Sequence, residues 1–152
     1  STRKESSAAS DVYKRQEWLQ TWFEDAEVKR RLEGMMPLDE WFNFADGNEN
    51  YRVWAALKEG KPVGAVMVEV EEDSTGNIAL LVDPLLRGGG YGKALIKRTM
   101  ALPEMSRINK WFAGIEEDNK SCLACFRSVG YSLEHDQPDE DGYYSLIYFP
   151  ES

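Results

Sequence analysis

Residues 87–92 read Arg-Gly-Gly-Gly-Tyr-Gly and stand between the apolar run LLVDP and a resumed helical pattern, KALIKRTMAL. Such a stretch can do one kind of chemistry well. Glycines carry no Cβ, so successive backbone N–H groups can approach an anion, and a following helix adds about half a positive charge at its N-terminus. Two familiar phosphate loops fail on spacing. A Walker A loop needs Gly five residues before Gly92, where Arg87 stands, and Ser or Thr after Lys93, where Ala94 stands. A dinucleotide fingerprint begun at Gly88 fails at Lys93, and one begun at Gly90 fails at Leu95. A strand-to-helix turn that holds no ligand stays open on spacing alone.

What remains is R-x-x-G-x-G after Val82-Asp83-Pro84 and before a helix. This resembles the coenzyme A pyrophosphate loop of the GNAT (Gcn5-related) N-acetyltransferases. Further along, Asn119 opens a helical pattern that closes on Gly130-Tyr131, similar to the Asn and Gly-Phe of that family. WFEDAEVKRRL resembles the W-x-x-D-x-E-V-x-x-x-L helix of its ribosomal-protein-like and aminoglycoside-like members. The resemblance spans Glu17 to Phe149. It implies an acetyl-CoA-dependent N-acetyltransferase whose acceptor is a primary amine of a small molecule or a protein N-terminus, attacked directly in a ternary complex. It implies a cofactor site of Arg87, Gly88, Gly89, Gly90, Tyr91, Gly92 and Lys93. It further implies a strand bulge at Leu81 or Val82 that frees an N–H for the thioester carbonyl, and Asn119 on the pantetheine arm.

The catalytic groups are less plain. Acetyl transfer needs a deprotonated amine, a donor for the developing oxyanion and a proton for the leaving thiolate. The family often places a tyrosine seven residues after the Asn; here that position of the cofactor pocket is Phe126, which has no proton to give. Ser121, Cys122 or water are the substitutes, and a non-catalytic acyl-CoA-binding module is the alternative function. For the base, Glu69 is the named candidate, beside Glu71, Glu116 and His135, each with an ordinary solvated role as its rival reading. Met35, Met36, Trp41 and Phe42 are candidate walls of the acceptor site or simply core. The run EHDQPDEDG attracts a cationic amine or is a solvated hairpin loop. Cys122 and Cys125, spaced CLAC, read as small core residues of a helix, and with His135 they are too few for a zinc site, so no metal is expected.

These residues need elements to hold them. The chain has 152 residues, 42% hydrophobic, enough for one domain that buries about two-thirds of its unfolded surface. A net charge of −9 disfavours nucleic acid and anionic membranes, and no apolar run approaches a membrane span. No signal-peptide core is seen, which reads as a cytoplasmic protein. Residues 1–16 lack periodicity, and DVYKRQ resembles the translation of a transposon end, so they are set aside as a non-native or disordered leader; residues 17–152 are expected to form the single domain. A homodimer through an open sheet edge stays open. From Glu17 an apolar stripe of Trp18, Leu19, Trp22, Phe23 and Ala26 predicts one amphipathic helix running to Gly34, and PLDEWFNFA predicts a second. Strands follow at 51–57, 63–72 and 77–84. A helix after the glycines, a strand at 110–117, a helix from Asn119 to Gly130 and a closing hairpin complete the order α-α-β-β-β-α-β-α-β-β. The expected class is α+β, a mixed, mostly antiparallel sheet flanked by helices on both faces.

Overall fold

A computed structural model describes residues 2–4, 18–36 and 38–150. The strands are β1 (Thr2–Lys4), β2 (Tyr51–Lys58), β3 (Lys61–Val70), β4 (Thr75–Val82), β5 (Lys110–Glu116), β6 (Ser132–Leu133) and β7 (Tyr143–Tyr148). They form one sheet in the order β1-β2-β3-β4-β5-β7-β6, parallel only where β4 meets β5. The α+β class matches the expectation from the sequence, and so does the order of elements from β2 onward. Within the segment set aside as leader, Thr2–Lys4 pairs with β2 from Thr2↔Ala56 to Lys4↔Trp54. The remainder of that segment lies outside the described residues.

Period-two alternation sorts the strands' side chains onto two faces. Val66, Val68 and Val70 of β3 join Trp54, Ile78, Trp111, Ala113 and Ile115 in one core, covered by α4 (Tyr91–Met100) and α5 (Lys120–Val129). Ala65, Met67 and Leu81 turn the other way and meet Leu19, Trp22, Phe23 and Val28 in a second core. That face is covered by α1 (residues 18–22), α2 (Ala26–Arg31) and α3 (Leu38–Asp46). The single helix expected from Glu17 to Gly34 is therefore two. Asp25 is the reason: its carboxylate accepts the Val28 N–H at 3.1 Å and caps a fresh helix, so the chain turns at 23–25. A short 3-10 turn, Glu33–Met35, then leads into α3.

The feature that matters for function lies between β4 and β5. They pair only over Thr75↔Lys110, Gly76↔Trp111 and Asn77↔Phe112 and then separate, while β4 stays on β3 up to Val82 and β5 stays on β7 up to Glu116. The sheet opens there as a wedge. At the closed end Gly76 leaves room for large neighbours: a Cβ would stand 2.7 Å from Ile108 Cδ1 and 3.1 Å from the Trp111 ring. Gly76→Val should thus overpack the last closed rungs and cost about 1–3 kcal/mol of stability, read as a lower urea midpoint at unchanged slope.

Candidate active site

The wedge encloses a cavity of about 470 Å³. Its walls come from α2, β4, the loop before α4, β5 and α5, including Glu27, Arg31, Leu80, Val82, Arg87, Gly90, Glu116, Asn119, Cys125 and Tyr143. Backbone direction follows from the ladders. Asp83 N–H donates to Val63 C=O and Glu71 N–H to Thr75 C=O, both at 2.9 Å, and the β3–β4 register is unbroken between them. Hydrogen-bonded pairs alternate in an antiparallel ladder. Residues 77, 79 and 81 therefore turn their N–H and C=O toward β3, and Ile78, Leu80 and Val82 turn theirs toward β5; the Ile78 N–H completes the last parallel rung, and Leu80 and Val82 open into the wedge. On the other arm Glu117 N–H donates to Gly142 C=O at 2.9 Å, so Gly114 and Glu116 face the opening. The Glu116 C=O is already taken by Asn119 N–H at 2.9 Å.

Two expectations change here. No bulge interrupts β4; the strands' divergence, rather than an extra residue, bares the backbone. Leu81 also drops out as the source of a free N–H, because its backbone pairs with Ala65 and its side chain is buried in the second core. Val82 keeps a bare N–H, and so does Leu80, which the sequence did not single out; the Ile78 N–H is spent on the Asn77↔Phe112 rung with β5.

The glycines divide by role. Gly88 and Gly90 have φ of +83° and +81°, where L side chains are strained, and open space where a Cβ would stand. Gly90 is the N-cap of α4 and offers no side chain, so the N–H groups of the first turn are left unmatched toward the cavity. Gly92 has a packing role instead: its Cβ would come 3.1 Å from Cys125 Sγ, which sets how closely α4 meets α5. Tyr91 and Gly92 border the cavity, and the Tyr91 hydroxyl receives a hydrogen bond from Lys58 at 3.3 Å. Lys93 is exposed in the first turn of α4, and Gly89 precedes the cap.

Arg87 is already engaged. Its guanidinium forks onto Asp25, at 2.6 Å to Oδ2 and 3.4 Å to Oδ1, and reaches Glu27 at 3.4 Å. The hydrogen bond from Arg87 holds the Asp25 carboxyl below its ordinary value, and Asp25 in turn raises Arg87. Arg31 ties the same helix to the opposite arm, lying 3.2 Å from Glu27, 3.3 Å from Glu116 and 3.1 Å from Asp118. Helix α2 thus spans the open end of the wedge on two arginines.

Asn119 caps α5, accepting from Cys122 N–H and from the Ser121 hydroxyl at 3.4 Å each. Ser121 and Cys122 both border the cavity. Burial pushes the Cys122 thiol up to about 12, so it stays protonated and cannot acidify a leaving thiolate. A raised value means that stability is fully present below the ordinary 9.0 and is lost as pH rises toward about 12, since only the unfolded chain ionises there. Between pH 8 and pH 10 the urea midpoint of the wild type should fall further than that of Cys122→Ala. Phe126 lines the inner wall while 1% exposed, its ring edge-on to Tyr131 at 4.9 Å.

Glu69 does not border the cavity; it is exposed on β3 opposite Tyr51 and Asn77. Glu71 is bound by Asn77 Nδ2 at 2.7 Å, and His135 is exposed beside Glu134. The carboxylates at the wedge are Glu116, one of the candidates named from the sequence, and Glu27, which lies on a helix and which no strand-face argument could single out. Met35 and Trp41 belong to the second core, Met36 is exposed, and the Phe42 side chain lies outside the described residues. The acidic run closes on itself: Asp139 Oδ1 accepts the N–H groups of Asp141 and Tyr143 at 2.9 Å.

With this geometry in hand, similarity to known proteins can be placed. The chain matches the family model described as "Acetyltransferase (GNAT) family" over residues 15–131. It is 41% identical over 129 residues to the uncharacterized N-acetyltransferase YfmK of Bacillus subtilis (strain 168), covering 85% of this chain and 86% of that one. Among solved structures, AAC(6')-Ib in complex with parmomycin and acetyl-CoA superposes with a TM-score of 0.78 at 15% identity, over 98% of this chain and 92% of that one. A chimera of the spermidine N-acetyltransferase SpeG from Vibrio cholerae gives 0.76 at 14% identity, over 98% and 95%. Campylobacter jejuni N-acetyltransferase PseH with acetyl coenzyme A gives 0.73 at 12%, over 99% of both chains. At these identities the three structures speak for the fold.

Proposed function

The chain belongs to the GNAT acetyltransferase family and is an N-acetyltransferase, and from that premise we propose that it moves an acetyl group from acetyl-CoA to a cationic primary amine by direct attack in a ternary complex. One observation carries the reading: the bare β4 edge of Leu80 and Val82, just past the last rung with β5, runs straight into the left-handed glycines and the open N-terminus of α4. Pantetheine, an extended chain of two amides, can pair along that edge as an added strand. The pyrophosphate then meets the N–H groups of Gly90, Tyr91, Gly92 and Lys93 together with Arg87. The Asn119 amide lies on the far side of the same groove.

In the reaction the amine nitrogen attacks the thioester carbon, the carbonyl oxygen takes up negative charge, and the C–S bond breaks. The N–H of Leu80, the first bare one past the closed rungs, is the donor for the oxyanion, with Val82 next along the strand. Glu116 replaces Glu69 as the carboxylate that receives the amine's proton through water, because Glu116 is the one that borders the cavity. The Ser121 hydroxyl hydrogen-bonds the departing thiolate, whose proton comes from solvent. Glu27, Glu116 and Asp118 make this end of the wedge acidic, which suits a cationic acceptor. Two proteins of the same fold carry amines in their descriptions, spermidine for one and parmomycin for the other.

Calorimetric titration with acetyl-CoA tests the reading, followed by a panel of polyamines, aminoglycosides and peptide N-termini assayed for free-thiol release. Micromolar binding and amine-dependent release are expected. Neither heat nor thermal stabilisation with acetyl-CoA would end it.

A further inference from the structure

The arginine proposed for the cofactor is held by carboxylates of α2. Arg87 makes a two-pronged contact with Asp25 across 62 positions of sequence, with Glu27 as a further carboxylate. Two carboxylates on the first turn of α2 present to Arg87 what a pyrophosphate presents: adjacent anionic oxygens spaced for a planar fork. The guanidinium cannot serve both at full strength. Asp25 keeps a second role, accepting the Val28 N–H, so its position does not depend on Arg87. Arg31 holds the same helix to Glu116 and Asp118 on the other arm. Helix α2 can therefore lose its Arg87 contact and still be anchored.

We propose that Asp25 and Glu27 are an internal stand-in for the cofactor's pyrophosphate, and that acetyl-CoA binds by drawing Arg87 away from α2. This rests on the proposed cofactor site. The exchange lowers cofactor affinity by the strength of the α2 contact and, once made, leaves Glu27 at the acceptor end held by Arg31 alone. Loading the cofactor thereby makes the acceptor end more negative, which favours a cationic amine arriving second.

The test is acetyl-CoA calorimetry on the full chain. Asp25→Asn removes the charge but keeps the cap, since asparagine caps as well as aspartate. It should bind acetyl-CoA about two- to five-fold more tightly than wild type, the range expected for a partly exposed ion pair. Glu24→Gln, an equal charge change one residue away at an exposed site, should leave affinity unchanged. In an Arg87→Ala background, titrated to millimolar ligand, the gain from Asp25→Asn should vanish; where that background binds too weakly to titrate, the Glu24→Gln comparison decides. Equal gains from Asp25→Asn and Glu24→Gln would mean bulk charge only and overturn the proposal. So would a weaker-binding Asp25→Asn, which would make Asp25 a positioner of Arg87. Absence of binding by the wild type would instead remove the cofactor site itself, and this proposal with it.

Discussion

Gly90→Glu should abolish measurable acetyl-CoA binding, a loss of about 100-fold or more, while the protein still folds. Position 90 has φ +81° and nothing within 4 Å of a would-be Cβ, so the protein itself has room for the side chain. The price is backbone strain of about 1–2 kcal/mol, which in a chain of this size lowers the melting temperature by roughly 2–8 °C. The cofactor has no such room. The new Cβ stands where the phosphates approach the α4 N-terminus, and the carboxylate repels them; charge-assisted hydrogen bonds of about 1.5–3 kcal/mol each are forfeited. Gly60 supplies the control, because it too has a positive φ (+80°) and open space, in the β2–β3 turn. Gly60→Glu should melt lower by a similar amount and bind acetyl-CoA as wild type does. If both variants bind equally well, the loop is a turn and nothing more.

Proline at two adjacent positions of β4 should separate catalysis from stability. At Leu80 the N–H faces the wedge and has no partner on β3, so Leu80→Pro removes no ladder bond of the sheet. It does remove the proposed oxyanion donor, and kcat should fall by about 10²–10³. At Leu81 the N–H belongs to the β3 ladder and the side chain is buried, so Leu81→Pro should cost about 3 kcal/mol or more. Denaturant midpoints and acetyl-transfer rates of the two variants, measured side by side, check this. A Leu80→Pro protein with normal kcat would assign the oxyanion to another group.

Much of the fold was readable in advance because its signals are local. The Val66-Val68-Val70 alternation marks a strand face by its period alone. Asn119 and Gly130 bracket α5 through a cap and a stop that act over three or four residues. The demand for positive φ at residues 88 and 90 is met by the glycines themselves. Where a local signal was misread, as in the merging of α1 and α2, the apolar stripe outweighed a single capping aspartate that in fact redirects the chain.

The amino-acid order by itself thus determined most of the element types, the two-faced sheet and the positive-φ glycine loop, because periodicity, capping and glycine φ depend on near neighbours. Tertiary structure alone decided which of those residues meet. Whether Leu80 or Leu81 bares its N–H depends on the β3–β4 register, a pairing between strands that no strand carries within itself. The wedge exists because β5 follows β7 and leaves β4 after three rungs. That divergence brings Glu116 rather than Glu69 to the cavity, and sets Asp25 against Arg87 from 62 positions away. Such contacts arise from the balance of long-range packing, and their partners are named only once the chain has closed on itself.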